Sequence, residues 1–291
     1  MAIERCILIA GAMKCGTTSL YNYLAQHSQI RSSALVGRGK EPKFFSSDER
    51  WGRGPAWYES CFPTIGPGQW ALDGSTDCAK YPFVGDVPAR LKAFDAEFKI
   101  IFMMRHPLRR MESHARHAQF FGEEVNDIRS DRKDHSLDYG ISPASRAISN
   151  YAMQIDVFRE WFDRGDLLLV AAEELKADPA SVIERTLKFI GLPPIASLSV
   201  PTFQNRAGER RSKLPLLQML DRTPRLNRLL RSIAPAWARQ RMWKKLEVPG
   251  RFRLTPDEEQ SLIAELMPSL VRLRDDYGVD ASTTWGIPLS A

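Results

Sequence analysis

The 291-residue chain holds four cysteines, Cys6, Cys15, Cys61 and Cys78, all in its first third and none in Cys-x-x-Cys spacing. That usage favours reduced thiols over a disulfide framework or a zinc site. No stretch approaches the ~20 apolar residues that span a bilayer. The first apolar run, Cys6 to Ala10, is too short for an export signal and passes straight into a glycine loop. These absences together lead us to expect a cytoplasmic protein. No Pro/Gly/Ser-rich linker, internal repeat or low-complexity tract divides the chain. With 43% hydrophobic residues it can bury a sizeable core. A single domain over 1–291 is the expectation, with a basic, mainly helical C-terminal part from about residue 206.

Apolar strands alternate with helical patterns. Ile7-Leu8-Ile9-Ala10 is a buried-strand run, followed by a helix with Leu20, Tyr23 and Leu24 on one side. Lys99 to Met104 is a second strand, stopped by Arg105-His106-Pro107, and a helix carries Met111 towards Phe121. Gly122 to Pro143 is polar, without period, and reads as an exposed excursion. Ile148, Tyr151, Ile155, Phe158 and Phe162 recur at helical spacing and predict one amphipathic helix. Leu167 to Val170 is a third strand, and Pro179 and Gly191 bracket a further helix. The order implies an α/β fold, a P-loop-like parallel sheet flanked by helices on both faces.

Between the first strand and first helix lies Gly11-Ala-Met-Lys14-Cys15-Gly16-Thr17-Thr18-Ser19. Such a loop turns backbone N–H groups towards an anion, and the helix N-terminus adds positive potential. The glycine spacing copies the nucleoside-triphosphate P-loop, but that motif places lysine directly after the second glycine. Thr17 stands there, and the lysine has moved inside the loop to Lys14. The second strand lacks the terminal Asp that would hold Mg²⁺ in a kinase or ATPase and ends in Arg105. A guanidinium fork suits bidentate contact with phosphate, and Ser113, in the following helix, can reach the same anion. A metal-free anion site fits sulfuryl transfer, because the transferred SO₃ carries less negative charge than PO₃.

The loop Gly11–Ser19, the segment Lys40-Glu41-Pro42-Lys43-Phe44-Phe45 and the run Arg105-x-Pro107…Arg110…Ser113 together resemble the PAPS-dependent sulfotransferases, PAPS being 3′-phosphoadenosine 5′-phosphosulfate. The likeness is to the branch of heparan sulfate sulfotransferases and bacterial relatives. It continues through Asn150-Tyr151-Ala152, Trp161-Phe162 and Glu173-Glu174-Leu175 to Gly191, and weakens beyond. The resemblance implies a sulfotransferase fold and PAPS as donor, with PAP as product and no metal. It implies that Lys14, Cys15, Gly16, Thr17, Thr18 and Ser19 hold the 5′-phosphosulfate, with Lys14 neutralising the leaving phosphate. Arg105 and Ser113 would hold the 3′-phosphate, joined by a later basic loop for which Arg210 and Arg211 are the candidates. Glu41 stands where this branch carries its catalytic base; read from its neighbours alone, it is equally a surface carboxylate paired with Lys40 or Lys43. Lys43 would orient the acceptor.

One departure stands out. Where relatives often carry Glu-Lys-[Ser/Thr]-Pro, this chain has Asp73-Gly74-Ser75-Thr76, so the lysine is missing. Lys80 is the candidate substitute in the acceptor site, and Asp73 and Asp77 are reserve bases. His106, His114 and His117 lack carboxylate partners at ligand spacing and read as capping or surface groups. Trp51, Trp57, Tyr58 and Phe62 line either an acceptor pocket or a packed loop region.

The net charge of +6 is unevenly spread: residues 206–253 hold fourteen Lys/Arg against three acidic residues. This basic amphipathic stretch is a lid over an anionic ligand, a peripheral membrane contact, or a helix with its arginines in water. No nucleic-acid module is recognisable. The expected partner is a small-molecule, sugar or lipid-linked acceptor. The rival readings are a P-loop kinase with a displaced lysine and a non-catalytic anion-binding module.

Overall fold

The computed structural model describes residues 3–34, 39–121, 141–195, 198–199, 211–213, 247–249 and 252–289. The core is a five-stranded, all-parallel sheet in the order β2-β3-β1-β4-β5. Its strands are β1 (Arg5–Gly11), β2 (Ile30–Ser32), β3 (Trp70–Asp73), β4 (Glu97–Met104) and β5 (Leu167–Ala171). After Arg5, every residue of β1 is buried, as expected of a central strand covered on both faces. Its neighbours are β3, with Leu8 opposite Asp73, and β4, with Leu8 opposite Ile100. This register brings the C-terminal ends of three strands to one edge, where open α/β sheets bind ligands.

Helix α1 (Thr17–Leu24) follows β1 and buries Leu20, Tyr21, Tyr23 and Leu24. The short helices α2 (Asp48–Trp51) and α3 (Pro55–Glu59) precede β3; a 3₁₀ turn (Thr76–Ala79) and α4 (Val87–Ala93) follow it. Helix α5 (Pro107–Phe121) leaves β4. The periodic segment expected as one helix is instead three: α6 (Pro143–Ser149), α7 (Tyr151–Asp156) and α8 (Arg159–Asp163). Asn150 makes the first break, leaving helical geometry and accepting the Met153 N–H with its side chain, so that it starts a new helix. Phe158 makes the second with a non-helical backbone. The spacing still reports burial correctly, because Ile148, Tyr151, Ile155 and Phe158 all reach the core.

Helices α9 (Ala172–Ala177) and α10 (Pro179–Ile190) close the sheet edge, with Asp178 capping the Ser181 N–H and Gly191 in the left-handed conformation after α10. Beyond these, residues 211–213 (β6) pair antiparallel with 247–249 (β7) in a ribbon beside α5. Helix α11 (Pro256–Tyr277) opens with a Thr255–Glu258 capping box, and α12 (Ala281–Trp285) ends the described chain's regular structure. Leu262, Leu266 and Leu270 of α11 pack with Leu108, Met111 and Ile141 in a second core cluster. Buried Glu112 reinforces that seam: it meets Arg109 at 3.0 Å, Arg253 at 3.4 Å and the Leu254 N–H at 3.3 Å, while Arg109 also pairs with Glu259 at 2.8 Å. Of the expected excursion at 122–143, residues 122–140 lie outside the described residues, and its end is not exposed loop: Ile141 is buried in the second core cluster and Ser142 caps α6, which starts at Pro143. Most of the basic stretch 206–253 also lies outside the described residues.

Gly11 ends β1 because nothing larger fits there. A Cβ on it would lie 2.5 Å from the Ala79 Cβ and 3.3 Å from the Phe102 ring. Gly11→Ala is expected to destabilise the protein by about 1–3 kcal/mol through overpacking, measured by urea unfolding. An unchanged midpoint would show that the Ala79 contact yields without cost.

Candidate active site

The glycine loop is held from below. The Ala12 N–H donates to the Met103 carbonyl (2.7 Å), fastening the loop to β4, and the N–H groups of Ser19 and Leu20 donate to the Gly16 carbonyl. Lys14 and Gly16 both take positive φ, 72° and 84°, which turns the chain sharply before α1. Helix α1 has no side-chain cap and no acidic residue in its first turn, so its N-terminal donors remain available to an anion. Thr17 is buried at the helix start; Thr18 and Ser19 are half-buried beside it. Cys15 contributes differently from expectation. Its thiol is buried 3.7 Å from the Tyr151 hydroxyl and its N–H donates to the Ala12 carbonyl (3.3 Å), so both groups face inward. Burial pushes that thiol up to about 11, although Arg110 and Tyr151 pull the other way. It is a floor residue, not a nucleophile.

Tyr151 also fixes the end of β4, donating to the Arg105 carbonyl at 2.6 Å. The next residue is fixed from the other side, where the His106 N–H donates to Glu173 (3.1 Å) and the indole N–H of Trp285 holds the same carboxylate (3.1 Å). Arg105 thus leaves a backbone clamped on both sides, with its side chain half-buried. Ser113 is buried on α5. Between them in sequence, Arg110 is fully buried. Its Nε donates to Ser149 (2.6 Å) and one terminal nitrogen donates to the Ser145 carbonyl and hydroxyl (2.5 and 2.6 Å). The other, Nη1, has no hydrogen-bond partner, and no carboxylate pairs with this guanidinium among the described residues. A buried, uncompensated cation close to Cys15 raises the potential under the loop. His114 bonds Ser145 at 3.1 Å, an internal role.

Opposite the loop, the segment Lys40–Phe45 is anchored through β3. Asp73, at the end of β3, is fully buried and accepts the Tyr58 hydroxyl (3.0 Å) and the Ser75 N–H (2.8 Å). Ser75 in turn accepts the Lys43 N–H at 2.7 Å. Asp73 therefore cannot meet an acceptor; it positions the turn that carries Glu41. Burial pushes its carboxyl up to about 6, against the pull of its bonds from Ser75 and Tyr58, with the Glu41 charge adding to the rise. Arg50, stacked on Trp57, donates to the Pro42 carbonyl and so holds the same turn from outside.

The Glu41 carboxylate lies 2.9 Å from the Lys40 ammonium and 3.5 Å from the Thr76 hydroxyl. The Lys40 Nζ continues to the Thr17 Oγ1 at 3.5 Å and the Gly74 carbonyl at 3.3 Å. The expected surface pair of Lys40 and Glu41 is real, and it also touches the anion loop. Lys43, Asp77 and Lys80 form a second charged chain, Asp77 meeting each lysine at 2.5 Å. Burial draws the Asp77 carboxyl upward, but Lys80 and Lys43 outweigh it and hold it below the usual range. Lys80 is thus committed to Asp77, and the Lys40 ammonium reaches the Gly74 carbonyl. Gly74 itself explains the missing lysine in part: a Cβ there would lie 3.0 Å from both the Lys40 carbonyl and the Tyr21 ring.

The aromatic residues divide from the site. Tyr58 and Phe62 are buried, Tyr58 stacking on Phe44 (4.8 Å) and meeting Phe45 edge-on (5.1 Å), so this set is packing rather than an acceptor wall. Arg210 lies outside the described residues. Arg211 opens β6, whose ribbon lies against α5, the helix that carries Ser113. The His117 side chain is outside the described set. No group of three His, Cys, Asp or Glu side chains able to hold a metal occurs among the described residues.

Residues 4–218 match the family model of the sulfotransferase domain. The chain belongs to the sulfotransferase domain family. Human heparan sulfate glucosamine 3-O-sulfotransferase 6 is 30% identical over 195 residues, 65% of this chain and 53% of that protein. Mouse bifunctional heparan sulfate N-deacetylase/N-sulfotransferase 4 is 26% identical over 196 residues, 64% of this chain and 22% of its own length. The chain thus spans about half the length, or less, of these curated relatives. A sulfotransferase structure from Alicyclobacillus acidocaldarius has a TM-score of 0.59 at 23% identity, covering 96% of this chain and 98% of that one, and shows the same fold. The family match ends near the ribbon, at residue 218; it includes Arg210 and Arg211 but not α11.

The glycine loop and the end of β4 are legible in the sequence as candidate anion-binding segments; Tyr151, Glu173, Trp285 and Arg50, which hold the backbone around the site, carry no local motif for that duty. For Asp73, a folded pKa near 6 against an ordinary value of 3.8 means that the native state holds the proton more tightly. Stability is therefore highest below the unfolded pKa and falls as pH rises through the window from about 4 to 6. The loss amounts to roughly 3 kcal/mol, which Asp73→Asn removes. Unfolding free energies of both proteins between pH 4 and 7 test this; parallel profiles would show that Asp73 is not the group responsible.

Proposed function

We propose that this protein transfers a sulfuryl group from PAPS to a hydroxyl or amine of a small-molecule, sugar or lipid-linked acceptor. The observation that carries this reading is the path Glu41–Lys40–Thr17: a carboxylate held one ammonium away from a lysine-containing anion loop. The site fits an anionic donor on its own terms, given the uncapped α1 terminus, the Thr17, Thr18 and Ser19 hydroxyls and the uncompensated Arg110 charge. The donor supplies an activated SO₃ group and departs as PAP. Lys14 and the first turn of α1 would bind the 5′-phosphosulfate and stabilise the charge that gathers on the leaving phosphate. Arg105 and Ser113, with Arg210 and Arg211, would bind the 3′-phosphate. Glu41 would take the acceptor's proton as its oxygen or nitrogen bonds sulfur and the bond from sulfur to the 5′-phosphate oxygen breaks. Lys43, Asp77 and Lys80 form the charged wall on the acceptor side.

The site's own cations stand where phosphoryl transfer recruits Mg²⁺, which supports a metal-independent reaction. The names of the curated relatives support a carbohydrate acceptor. The four cysteines are buried free thiols, in keeping with a reducing compartment such as the cytoplasm. A kinase reading gains nothing here, because Asp73, the acidic residue at a strand end beside β1, spends both oxygens on Tyr58 and Ser75.

Calorimetric titration with PAP, adenosine 5′-phosphosulfate and ATP, without and then with Mg²⁺, tests the donor. PAP is expected to bind without metal and to weaken strongly in Arg105→Ala. Glu41→Gln is expected to keep PAP affinity while losing roughly 10²–10⁴-fold in turnover, and Lys14→Ala to lower turnover with the fold intact. ATP binding that requires Mg²⁺, with no PAP binding, would overturn the proposal.

A further inference from the structure

We infer that Lys40 is a ligand of the transferred sulfuryl group, and that it takes the place left empty by the lysine absent at Gly74. The inference rests on the donor assignment above and adds a residue and a discrimination to it. Lys40 immediately precedes the candidate base, yet its ammonium does more than pair with that neighbour. Its contacts reach three separate segments of the chain: Glu41 Oε1 at 2.9 Å, the Gly74 carbonyl at 3.3 Å and the Thr17 hydroxyl oxygen at 3.5 Å. An ammonium has three protons and no lone pair, so towards all three it can only donate. Two of these partners are oxygens of the acceptor half of the site and the third belongs to the donor loop. The cation therefore sits at the junction where the group in transit must pass.

Its placement is built rather than incidental. The Lys40 side chain is four-fifths buried, unlike an ordinary surface pair. Its backbone is pinned by the Gly74 N–H, which donates to the Lys40 carbonyl at 2.8 Å. That approach favours glycine at 74, since a Cβ would stand 3.0 Å from the same carbonyl and would push it back by a few tenths of an ångström. The exchange is thus mutual: removing the side chain at 74 admits the strand of backbone that delivers a lysine from 40. The other lysines near the acceptor side, Lys43 and Lys80, both pair with Asp77. A sulfuryl oxygen arriving beside Thr17 replaces the long Thr17 contact with a charge-assisted hydrogen bond from Nζ, while the shorter contact to Glu41 keeps the carboxylate directed at the acceptor.

PAP differs from PAPS by lacking the sulfuryl group, so the pair of ligands isolates this contact. In Lys40→Met, affinity for PAPS is expected to fall by roughly tenfold or more, while affinity for PAP stays within twofold of wild type. Titrations are run cold and without acceptor, with melting temperature recorded to establish folding. Lys40→Arg keeps the charge and is expected to recover part of the preference for PAPS, which a space-filling role would not require. Equal weakening of PAP and PAPS would overturn the inference in favour of a loop-holding role, and unchanged affinity for both would remove Lys40 from the donor site. If wild-type protein binds neither ligand, it is the donor assignment that fails. Gly74→Ala supplies an independent check: it displaces the Lys40 backbone and is expected to lower PAPS affinity more than PAP affinity.

Discussion

The site depends on a carboxylate that never meets a substrate. Asp73 ends β3 in a fully buried position, and its two oxygens bind the Tyr58 hydroxyl and the Ser75 N–H. Burying a carboxylate is unfavourable unless its oxygens are satisfied. That requirement ties a cluster of aromatic rings, a strand end and the turn around Lys43 into one unit. Phe44 and Phe45 pack against Tyr58; Tyr58 holds Asp73; Asp73 holds Ser75; Ser75 holds the backbone of Lys43. Glu41 is two residues from the end of that chain. A similar economy governs the other half, where Tyr151 joins the loop floor at Cys15 to the end of β4, and Glu173 and Trp285 brace the residue beyond.

The electrostatic plan follows from which charges are balanced. Glu112, buried in the seam between α5 and α11, is surrounded by arginines. Asp77 has two lysines. Arg110, under the glycine loop, has serines but no carboxylate among the described residues, and one of its nitrogens has no hydrogen-bond partner there. Leaving a buried cation unmatched is costly in isolation. In a site for a multiply charged donor the same imbalance favours binding, because the ligand supplies the missing negative charge in a region of low dielectric.

Parts of this organisation were legible in the residues. The runs 7–10, 99–104 and 167–170 announced parallel strands because a strand covered on both faces must be apolar without alternation. Gly11, Gly16 and the hydroxyls after them predict an anion loop, because backbone donors and a helix terminus need no partner elsewhere for that, and the structure shows the turn and the uncapped helix start. The expected single helix over 148–162 failed at Asn150 and Phe158, since periodicity reports which residues are buried and is silent about where a side chain such as Asn150 caps a new helix in place of the old one. From the residues alone Asp73 reads as a reserve base, because a carboxylate after a strand looks the same in sequence whether it faces solvent or a tyrosine fifteen residues upstream.

What the residues alone settle is what local chemistry can encode: the apolar strand runs, the glycine turn into the first helix, the arginine at the end of β4 and membership of a fold class. Those depend on patterns within about ten residues, where spacing alone dictates geometry. The tertiary structure decided which charges share a space. It brought Lys40 to Thr17 and Gly74, turned Asp73 inward and Cys15 to the floor, and committed Lys80 to Asp77. Those outcomes depend on the register of β3 against β1 and on a backbone approach at Gly74 that leaves little room for a side chain, and neither is written in the residues nearest to it.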